Sequence, residues 1–270
     1  MKILVVGLSP CLVTSRSRLT SLILRHLYLC KYQIGGLVWG HDPNSFPPDE
    51  NGLHQFEFEL NYSDGSIQKH KIPLSTFPRG DNKEVIAIYE SIKSLQPDVI
   101  ITAGDYNDFF YMRAVKDMLP NGPKWLCILS NYSSPIPEYN EELIEAADAV
   151  LCTSEYALNT VKDLYKKELI DFQYHFSNPD IYSLQEREET DEFRIVASGK
   201  PQQADNLPTV IEAVCKAHKQ APNIRLYLHT SVYDKGDYDL EHIKARFDPN
   251  NEFIHFPDKY VSIFEGIPDT

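Results

Sequence analysis

The residues with the clearest potential for chemistry follow a strand late in the chain. The apolar run 193–198 stops at Gly199, and Lys200 and a polar loop then lead into an amphipathic helix that extends to Lys219. A glycine at the end of a strand, followed by a helix, directs backbone N–H groups and the positive end of a helix dipole at one point. This order predicts an anion-binding site at Gly199, although an exposed loop lysine is an equally good interpretation of Lys200.

A second group of polar residues follows earlier strands. Asp105 and Asp108 come just after the apolar run 98–102, at the edge of the sheet where α/β folds bind ligands. They would contact a ligand hydroxyl there, but Asp108 equally suits the amino-terminal cap of the next helix, which is the interpretation we prefer. Arg16, in the polar loop after the first strand, either binds an anion or is an exposed arginine at the start of a helix.

Other kinds of catalytic site have no support in the sequence. His229, His242 and His255 lie on different predicted elements without the spacing of metal ligands, so we expect no zinc site. The chain has no Ser-His-Asp arrangement, phosphate-binding P-loop or G-x-G-x-x-G motif. We therefore expect neither a dehydrogenase nor a kinase, and no metal or cofactor.

Composition narrows the class of protein further. The 270 residues carry a formal net charge of −13, which opposes non-specific binding to a nucleic-acid polymer or an anionic membrane surface. The five cysteines are widely spaced and set mostly in apolar runs, as expected for reduced core residues. The apolar run at residues 1–7 is too short for a signal peptide, and Arg25 and His26 interrupt the run 19–29. We expect a cytoplasmic protein rather than an integral membrane protein.

The elements that must position these residues alternate between strand and helix. Apolar strands are predicted at 2–8, 36–39, 98–102, 125–129, 149–153, 172–176, 193–198 and 224–229, and helices at 18–31, 82–96, 109–119, 140–147, 155–166 and 240–247. Ser154 suits the cap of the helix that follows it. Residues 55–75 break this alternation and indicate a β-hairpin, which is either an insertion in the domain or a sheet edge. Regular alternation predicts an α/β fold with doubly wound, mostly parallel sheets.

The elements fall into two Rossmann-like domains. Residues 1–182 form the first, the acidic stretch 183–192 is a linker, and residues 193–270 form the second. The expected place for a ligand is the cleft between them.

Three segments carry a family resemblance in their order and spacing. They are Gln96–Ile101, Ala146–Glu155 and His175–Tyr182, followed by Gly199–Leu207 at the opening of the second domain. Together they resemble the GT-B glycosyltransferases, and within these the retaining, metal-independent group that uses nucleotide sugars. The resemblance covers nearly the whole chain.

The resemblance implies roles for particular residues. Gly199, Lys200 and Asn206 match the donor-binding loop, where positive charge stabilises the leaving diphosphate. Asp205 occupies a position where the family has a lysine, so the charge there is reversed.

On the other domain, Ser9, Arg16, Asp105 and Asn131 would contact the acceptor or the transferred sugar. Asn131 stands where many members of the family have a histidine and cannot shuttle protons near neutral pH. A turn residue is the more ordinary interpretation of Asn131.

The second domain is about half as long as the family requires and lacks the acidic segment that holds the donor sugar. The resemblance therefore implies a glycosyltransferase that takes a nucleotide-sugar donor and a sugar, lipid-linked or protein acceptor, with its second domain incomplete. We expect residues 1–270 alone to be inactive. The alternative is a non-catalytic relative that binds a nucleotide, a sugar or a protein, and a second copy or a partner would cover the shortened sheet.

Overall fold

The computed structural model describes residues 1–12, 14–41, 43–44, 46–50, 54–61, 65–77, 83–104, 106–130, 134–163, 170–174, 190–199, 201–203, 205–230 and 236–257. Asp105, Asn131, Lys200 and the segment 175–182 lie outside these residues. The chain divides into two compact units, whose described parts are residues up to 174 and residues 190–257.

The first unit contains one large sheet and the helices that cover it. Its strands are β1 (Lys2–Leu8), β2 (Gln33–Trp39), β3 (His54–Asn61), β4 (Ile67–Thr76), β5 (Val99–Gly104), β6 (Lys124–Leu129), β7 (Ala149–Cys152) and β8 (Ile170–Phe172). Its helices are α1 (Ser15–Leu29), α2 (Lys83–Leu95), α3 (Tyr106–Phe109), α4 (Met112–Met118), α5 (Glu138–Ala146) and α6 (Glu155–Val161).

The strand order in this sheet is β3-β4-β2-β1-β5-β6-β7-β8. Every neighbouring pair is parallel except β3 and β4, which form an antiparallel hairpin at one edge. The chain builds outward from β1 on one side and then crosses to β5 on the other, so the order reverses between β1 and β5. The predicted doubly wound sheet and edge hairpin are confirmed.

Both faces of this sheet are buried, as β1 illustrates. Leu4 and Val6 pack into the core on one face, whereas Ile3 and Val5 pack into the core on the other. Each of these four side chains is at most 3% exposed. A continuous apolar strand is what a parallel sheet with helices on both faces requires.

Local interactions shift several element boundaries from their predicted positions. Helix α1 begins at Ser15 rather than Arg18, because the Thr14 hydroxyl accepts a hydrogen bond from the Ser17 N–H at 3.1 Å and caps the helix. The helix predicted over 109–119 corresponds to α4 (Met112–Met118), and a separate short helix, α3, ends at Phe109. Helix α6 ends at Val161 rather than Lys166, but its predicted cap is confirmed, since Ser154 Oγ accepts from the Ala157 N–H at 3.1 Å.

The second unit is smaller and also alternates strands with helices. Its described elements are β9 (Phe193–Ser198), α7 (Leu207–Gln220), β10 (Ile224–His229), α8 (Leu240–Phe247) and β11 (Ile254–His255). The three strands are parallel and lie in the order β11-β10-β9. Helices α7 and α8 pack against each other and share one apolar core with the strands.

Only one face of this second sheet is covered by described elements. Successive strands are neighbours, so two right-handed crossovers place both helices on the same side. On the other side Val196 is 69% exposed. The rings of Tyr227 and His255 stack there with centroids 4.9 Å apart.

Candidate functional site

The candidate site of the first unit lies where the strand order reverses, at the carboxyl ends of β1 and β5. Arg16 stands in the first turn of α1, which follows β1, and Asp108 stands in α3, which follows β5. Arg16 Nη1 lies 3.0 Å from Asp108 Oδ1. The Asp108 side chain is 2% exposed and that of Arg16 is 46% exposed. A buried carboxylate therefore holds a guanidinium that remains half open to solvent.

Gly104, the last residue of β5, makes this pairing possible. Its φ of +154° is a backbone conformation that side-chain-bearing residues rarely adopt. A Cβ at this position would collide with the Asp108 carboxylate. The predicted role of Asp108 as a helix cap is wrong, because the residue lies inside α3 and its carboxylate pairs with Arg16.

A second polar cluster follows β1 and β2 at the same edge of the sheet. The buried Ser9 hydroxyl lies 3.1 Å from Nδ1 of His41. Nε2 of His41 lies 3.0 Å from Nδ1 of His54 and 3.1 Å from the carbonyl oxygen of Phe46. Ser9 Oγ also accepts a hydrogen bond from the Cys11 N–H at 3.4 Å.

This cluster connects one hydroxyl and two imidazoles in a row. Which group donates in each of these hydrogen bonds depends on the tautomers of His41 and His54. Ser9 is oriented by hydrogen bonds rather than open to react. The sequence prediction included Ser9 and missed His41 and His54. The sequence signal that could have identified His41 is its position two residues after the carboxyl end of β2, where α/β folds bind ligands.

The next two strands also end in hydroxyl groups. Thr153, after β7, donates from Oγ1 to Oγ of Ser130, after β6, at 3.1 Å. The Ser130 N–H in turn donates to the Gly104 carbonyl at 2.8 Å. Hydroxyl, imidazole and guanidinium groups thus lie along one edge of the sheet, a set suited to hydrogen-bonding a polyol and pairing with an anion.

Two aspartates from the resemblance segments lie at the opposite edge and are structural. Asp98 Oδ2 accepts a hydrogen bond from the Lys2 N–H at 2.7 Å. Asp148 accepts from Lys116 Nζ at 2.7 Å, from the Trp125 N–H at 2.9 Å and from Lys124 Nζ at 3.1 Å. Partial burial alone would raise the pKa of Asp148, but these hydrogen bonds lower it to about 2. Asp98, before β5, thus bonds to the start of β1, and Asp148, before β7, bonds to β6.

In the second unit, Asp205 packs over Gly199. A Cβ on Gly199 would lie 3.0 Å from the Asp205 Cβ and 3.3 Å from its Oδ2, so a side chain at this position would push the carboxylate back by a few tenths of an ångström. Asn206 precedes α7 with a φ of +46°, in the left-handed region. Its Oδ1 accepts a hydrogen bond from the Thr209 hydroxyl at 2.9 Å rather than from a helix amide.

Several backbone N–H groups of this loop already donate hydrogen bonds within the second unit. Gln203 N–H donates to Asp237 Oδ2 at 2.8 Å, and the amides of Asp205 and Thr209 donate to loop carbonyls. Pro208, in the first turn of α7, has no N–H to offer. Asp205 therefore places a carboxylate at Gly199, where the sequence predicted a bound anion, and Asp237, from the connection before α8, places a second one at Gln203.

The buried thiols are not candidate nucleophiles. Burial raises the pKa of Cys152 to about 11 and raises the pKa of Cys127 further. Both thiols therefore stay protonated at neutral pH, and a protonated thiol is a poor nucleophile. All five cysteines are free, and three of them, Cys127, Cys152 and Cys215, are buried.

Two further kinds of feature were sought in the described residues. They contain no group of three or more histidine, cysteine, aspartate or glutamate side chains placed to hold a metal ion. Among their helices, none is long and apolar enough to cross a membrane.

Comparison with known proteins gives a likeness in structure but none in sequence. No known protein-family profile matches the chain, and no curated protein matches it. A putative UDP-N-acetylglucosamine 2-epimerase from Listeria monocytogenes superimposes with a TM-score of 0.59 at 14% identity, over 97% of this chain and 70% of that one.

Two glycosyltransferase structures superimpose equally well. A trehalose-6-phosphate synthase gives a TM-score of 0.61 at 12% identity, over 97% of this chain and 74% of that one. The catalytic domain of starch synthase IV from Arabidopsis thaliana, bound to ADP and acarbose, gives 0.57 at 10% identity, over 97% and 74%. At these identities the likeness concerns the fold, and it shows that this chain has a GT-B glycosyltransferase-like fold, as the sequence predicted.

Proposed function

We propose that this chain binds a nucleotide sugar and is a glycosyltransferase that transfers the sugar to an acceptor held by the first unit. The observation that carries the acceptor side of the proposal is the Arg16–Asp108 pair at the strand-order reversal between β1 and β5. Open α/β sheets bind ligands outside the carboxyl ends of their strands at this reversal.

The pair has the properties of an anion-binding group. Asp108 fixes the guanidinium of Arg16 in position, which lowers the entropy that a ligand must remove on binding. The guanidinium has five N–H donors and 46% of the side chain is exposed, so part of it is accessible to a phosphate or carboxylate. Ser9 and its histidine partners, at the same edge of the sheet, are the proposed hydrogen-bonding groups for sugar hydroxyls, and the buried Ser9 hydroxyl would exchange its His41 partner for the ligand.

The donor is assigned to the second unit. Gly199, Lys200 and Asn206 would bind the diphosphate, with the charge of Lys200 replacing a metal ion, so the proposed reaction uses no cofactor. Asp105 and Asn131 complete the acceptor or sugar side. Two of the similar structures support this choice of ligand, since one is named for a UDP-sugar substrate and another holds ADP.

A second candidate function is a non-catalytic relative that binds a nucleotide, sugar or protein. The geometry of the Gly199 loop favours it, because the carboxylates of Asp205 and Asp237 and the engaged amides weaken the positive potential that a leaving diphosphate needs. Release of nucleoside diphosphate from a panel of nucleotide sugars separates the two candidates. Turnover supports the transferase and would overturn the expectation that residues 1–270 alone are inactive, whereas binding without turnover is the result expected of the non-catalytic relative.

Calorimetric titration with UDP, ADP and GDP tests the proposal itself. Lys200→Ala should weaken binding of whichever nucleotide binds the parent chain, while Lys219→Ala, an exposed lysine on α7, should leave it unchanged. Arg16→Ala should leave nucleotide affinity intact and remove the binding of an anionic acceptor. Arg113→Ala is its matched control, since Arg113 is 45% exposed and pairs with Asp117 on the surface. Equal effects of Lys200→Ala and Lys219→Ala would contradict the donor assignment.

A further inference from the structure

We infer that the connection between β2 and β3 holds a divalent transition-metal ion such as Zn²⁺, bound by the imidazoles of His41 and His54 and the backbone carbonyl of Phe46. His41 follows β2 and His54 begins β3. The inference does not depend on nucleotide-sugar binding, and it departs from the sequence-based expectation of a chain without a metal. The ion would order this connection and take no part in the proposed transfer.

Three donor atoms converge on one point. His41 Nε2 lies 3.0 Å from His54 Nδ1 and 3.1 Å from the Phe46 carbonyl oxygen. His54 Nδ1 lies 3.3 Å from the same oxygen. Ligand atoms about 2.1 Å from one zinc ion lie about 3.0 to 3.4 Å apart when their angle at the metal is about 90 to 110°. All three distances fall in this range, so one ion can contact all three atoms.

Hydrogen bonds alone do not satisfy this triangle. A carbonyl oxygen only accepts, so both imidazole nitrogens must donate to Phe46 to satisfy its two contacts. The two nitrogens would then face each other as two donors at 3.0 Å. If either nitrogen is instead an acceptor, it faces the carbonyl oxygen as a second acceptor. A metal ion removes this conflict, because each of the three atoms then offers it a lone pair.

The other ring nitrogen of His41 already has a partner. Nδ1 lies 3.1 Å from the buried hydroxyl of Ser9. Histidines that bind metals usually donate their second N–H to a neighbouring polar group, which fixes the tautomer. With Nδ1–H donated to Ser9, His41 presents the lone pair of Nε2 to the ion. The ion would also keep His41 in place when Ser9 turns to a sugar ligand, so the inference is compatible with the proposed acceptor site.

The donor set selects the class of ion. Imidazole nitrogen suits Zn²⁺, Cu²⁺ and Ni²⁺, whereas Mg²⁺ and Ca²⁺ prefer oxygen ligands. Only two of the donors are side chains, which agrees with the absence, among the described residues, of a cluster of three metal-binding side chains. The net charge of −13 favours the approach of a cation.

Calorimetric titration of the full, chelator-treated chain with Zn²⁺ tests the site. The parent should bind Zn²⁺ in the presence of excess Mg²⁺. His54→Ala should weaken binding by more than about tenfold, and Ser9→Ala, which removes the partner of His41, by about tenfold. His26→Ala is the control, because Nε2 of His26 lies 3.6 Å from Sγ of the exposed Cys30 and could bind zinc adventitiously. Binding that His26→Ala removes and His54→Ala retains overturns the inference.

Nuclear magnetic resonance of the histidine rings needs no variant and so does not depend on how a variant folds. In the parent chain Zn²⁺ should shift the resonances of His41 Nε2 and His54 Nδ1 and leave His41 protonated at Nδ1. Those of His242, an exposed histidine on α8, should not move. A parent chain that binds no Zn²⁺, or one whose His41 and His54 resonances stay in place when Zn²⁺ is bound, overturns the inference.

Discussion

The eight-stranded sheet of the first unit buries both of its faces, whereas the described elements of the second unit cover only one face of its three strands. In the first unit the strand order reverses inside the sheet, between β1 and β5, and two polar residues from the ends of different strands meet there. In the second unit the three described strands follow one another in chain order from β9 to β11, with no reversal among them.

Both units alternate strands and helices, but their different strand orders give different candidate sites. Reversal inside a sheet creates a crevice whose two sides are both built by the unit, as Arg16 and Asp108 demonstrate. Among the described strands of the second unit, β9 lies at the edge of the sheet and is followed by Gly199. The first unit therefore contains a polar site formed by Arg16 and Asp108, whereas the described part of the second unit contains strand β9 and the loop that begins at Gly199.

Breaking the formed site should produce the largest effect on stability. Arg16→Ala leaves the Asp108 carboxylate buried without its guanidinium and should lower the free energy of unfolding by about 3 kcal/mol. Urea unfolding measures this change. Arg113 is as exposed as Arg16, but its partner Asp117 is 66% exposed, so Arg113→Ala should cost less than about 0.5 kcal/mol. Adding Asp108→Asn to Arg16→Ala should recover part of the loss, and an additive double variant would contradict the pairing.

A matched pair of truncations tests the difference between the two sheets. Val5→Ala, in a strand with both faces buried, should cost about 2 kcal/mol, because it leaves a cavity in a fully buried core. Val196→Ala, on the uncovered face, should cost less than about 0.5 kcal/mol in a monomer. Thermal unfolding at low protein concentration compares them. Similar costs would mean that Val196 is buried by something in the monomer.

The pH dependence of Asp148 gives a smaller effect. The folded pKa of about 2 lies below the ordinary value of 3.8, so the stabilisation is present above pH 4 and is lost as pH falls from 3.8 toward 2. With allowance for solvent screening, Asp148→Asn should cost about 1 kcal/mol at neutral pH, and its stability should converge with that of the parent near pH 2. Urea unfolding at several pH values measures this, and a constant difference down to pH 2 would exclude the mechanism.

The smallest expected effect concerns the loop of the second unit. Asp205→Lys removes a carboxylate beside Gly199 and should tighten nucleoside diphosphate binding about fivefold, and by more at low salt. Calorimetry at two salt concentrations measures the change. Glu241→Lys, on α8, is the charge-matched control. Unchanged affinity in Asp205→Lys would place the nucleotide away from this loop.

Local sequence patterns predicted the elements well. Apolar runs located β1 and β9, and the cap residue Ser154 located the start of α6, because these depend on neighbours along the chain. The left-handed conformation of Asn206 depends on one dihedral angle, and the start of α1 at Ser15 depends on one hydrogen bond to Thr14. The spacing of apolar residues in the sequence does not report either of them.

The site was less predictable because its contacts join distant parts of the chain. Arg16 and Asp108 were each singled out as candidates, but their pairing follows from β1 and β5 being neighbours in the sheet. His41 and His54 meet because the hairpin returns β4 to the side of β2. Asp98 and Asp148 lie in the segments that resemble the GT-B family. Their hydrogen bonds, at the edge of the sheet opposite the candidate site, give them a structural role.

The most direct test of nucleotide-sugar binding is the shift in melting temperature of the full chain with a panel of nucleoside diphosphates and their sugar conjugates. A ligand present at about 100 times its dissociation constant should add about 2.7 kcal/mol to the stability of the chain. The proposal predicts such a rise for at least one base, reduced in Lys200→Ala and retained in Lys219→Ala. No rise with any nucleoside diphosphate or nucleotide sugar would contradict it.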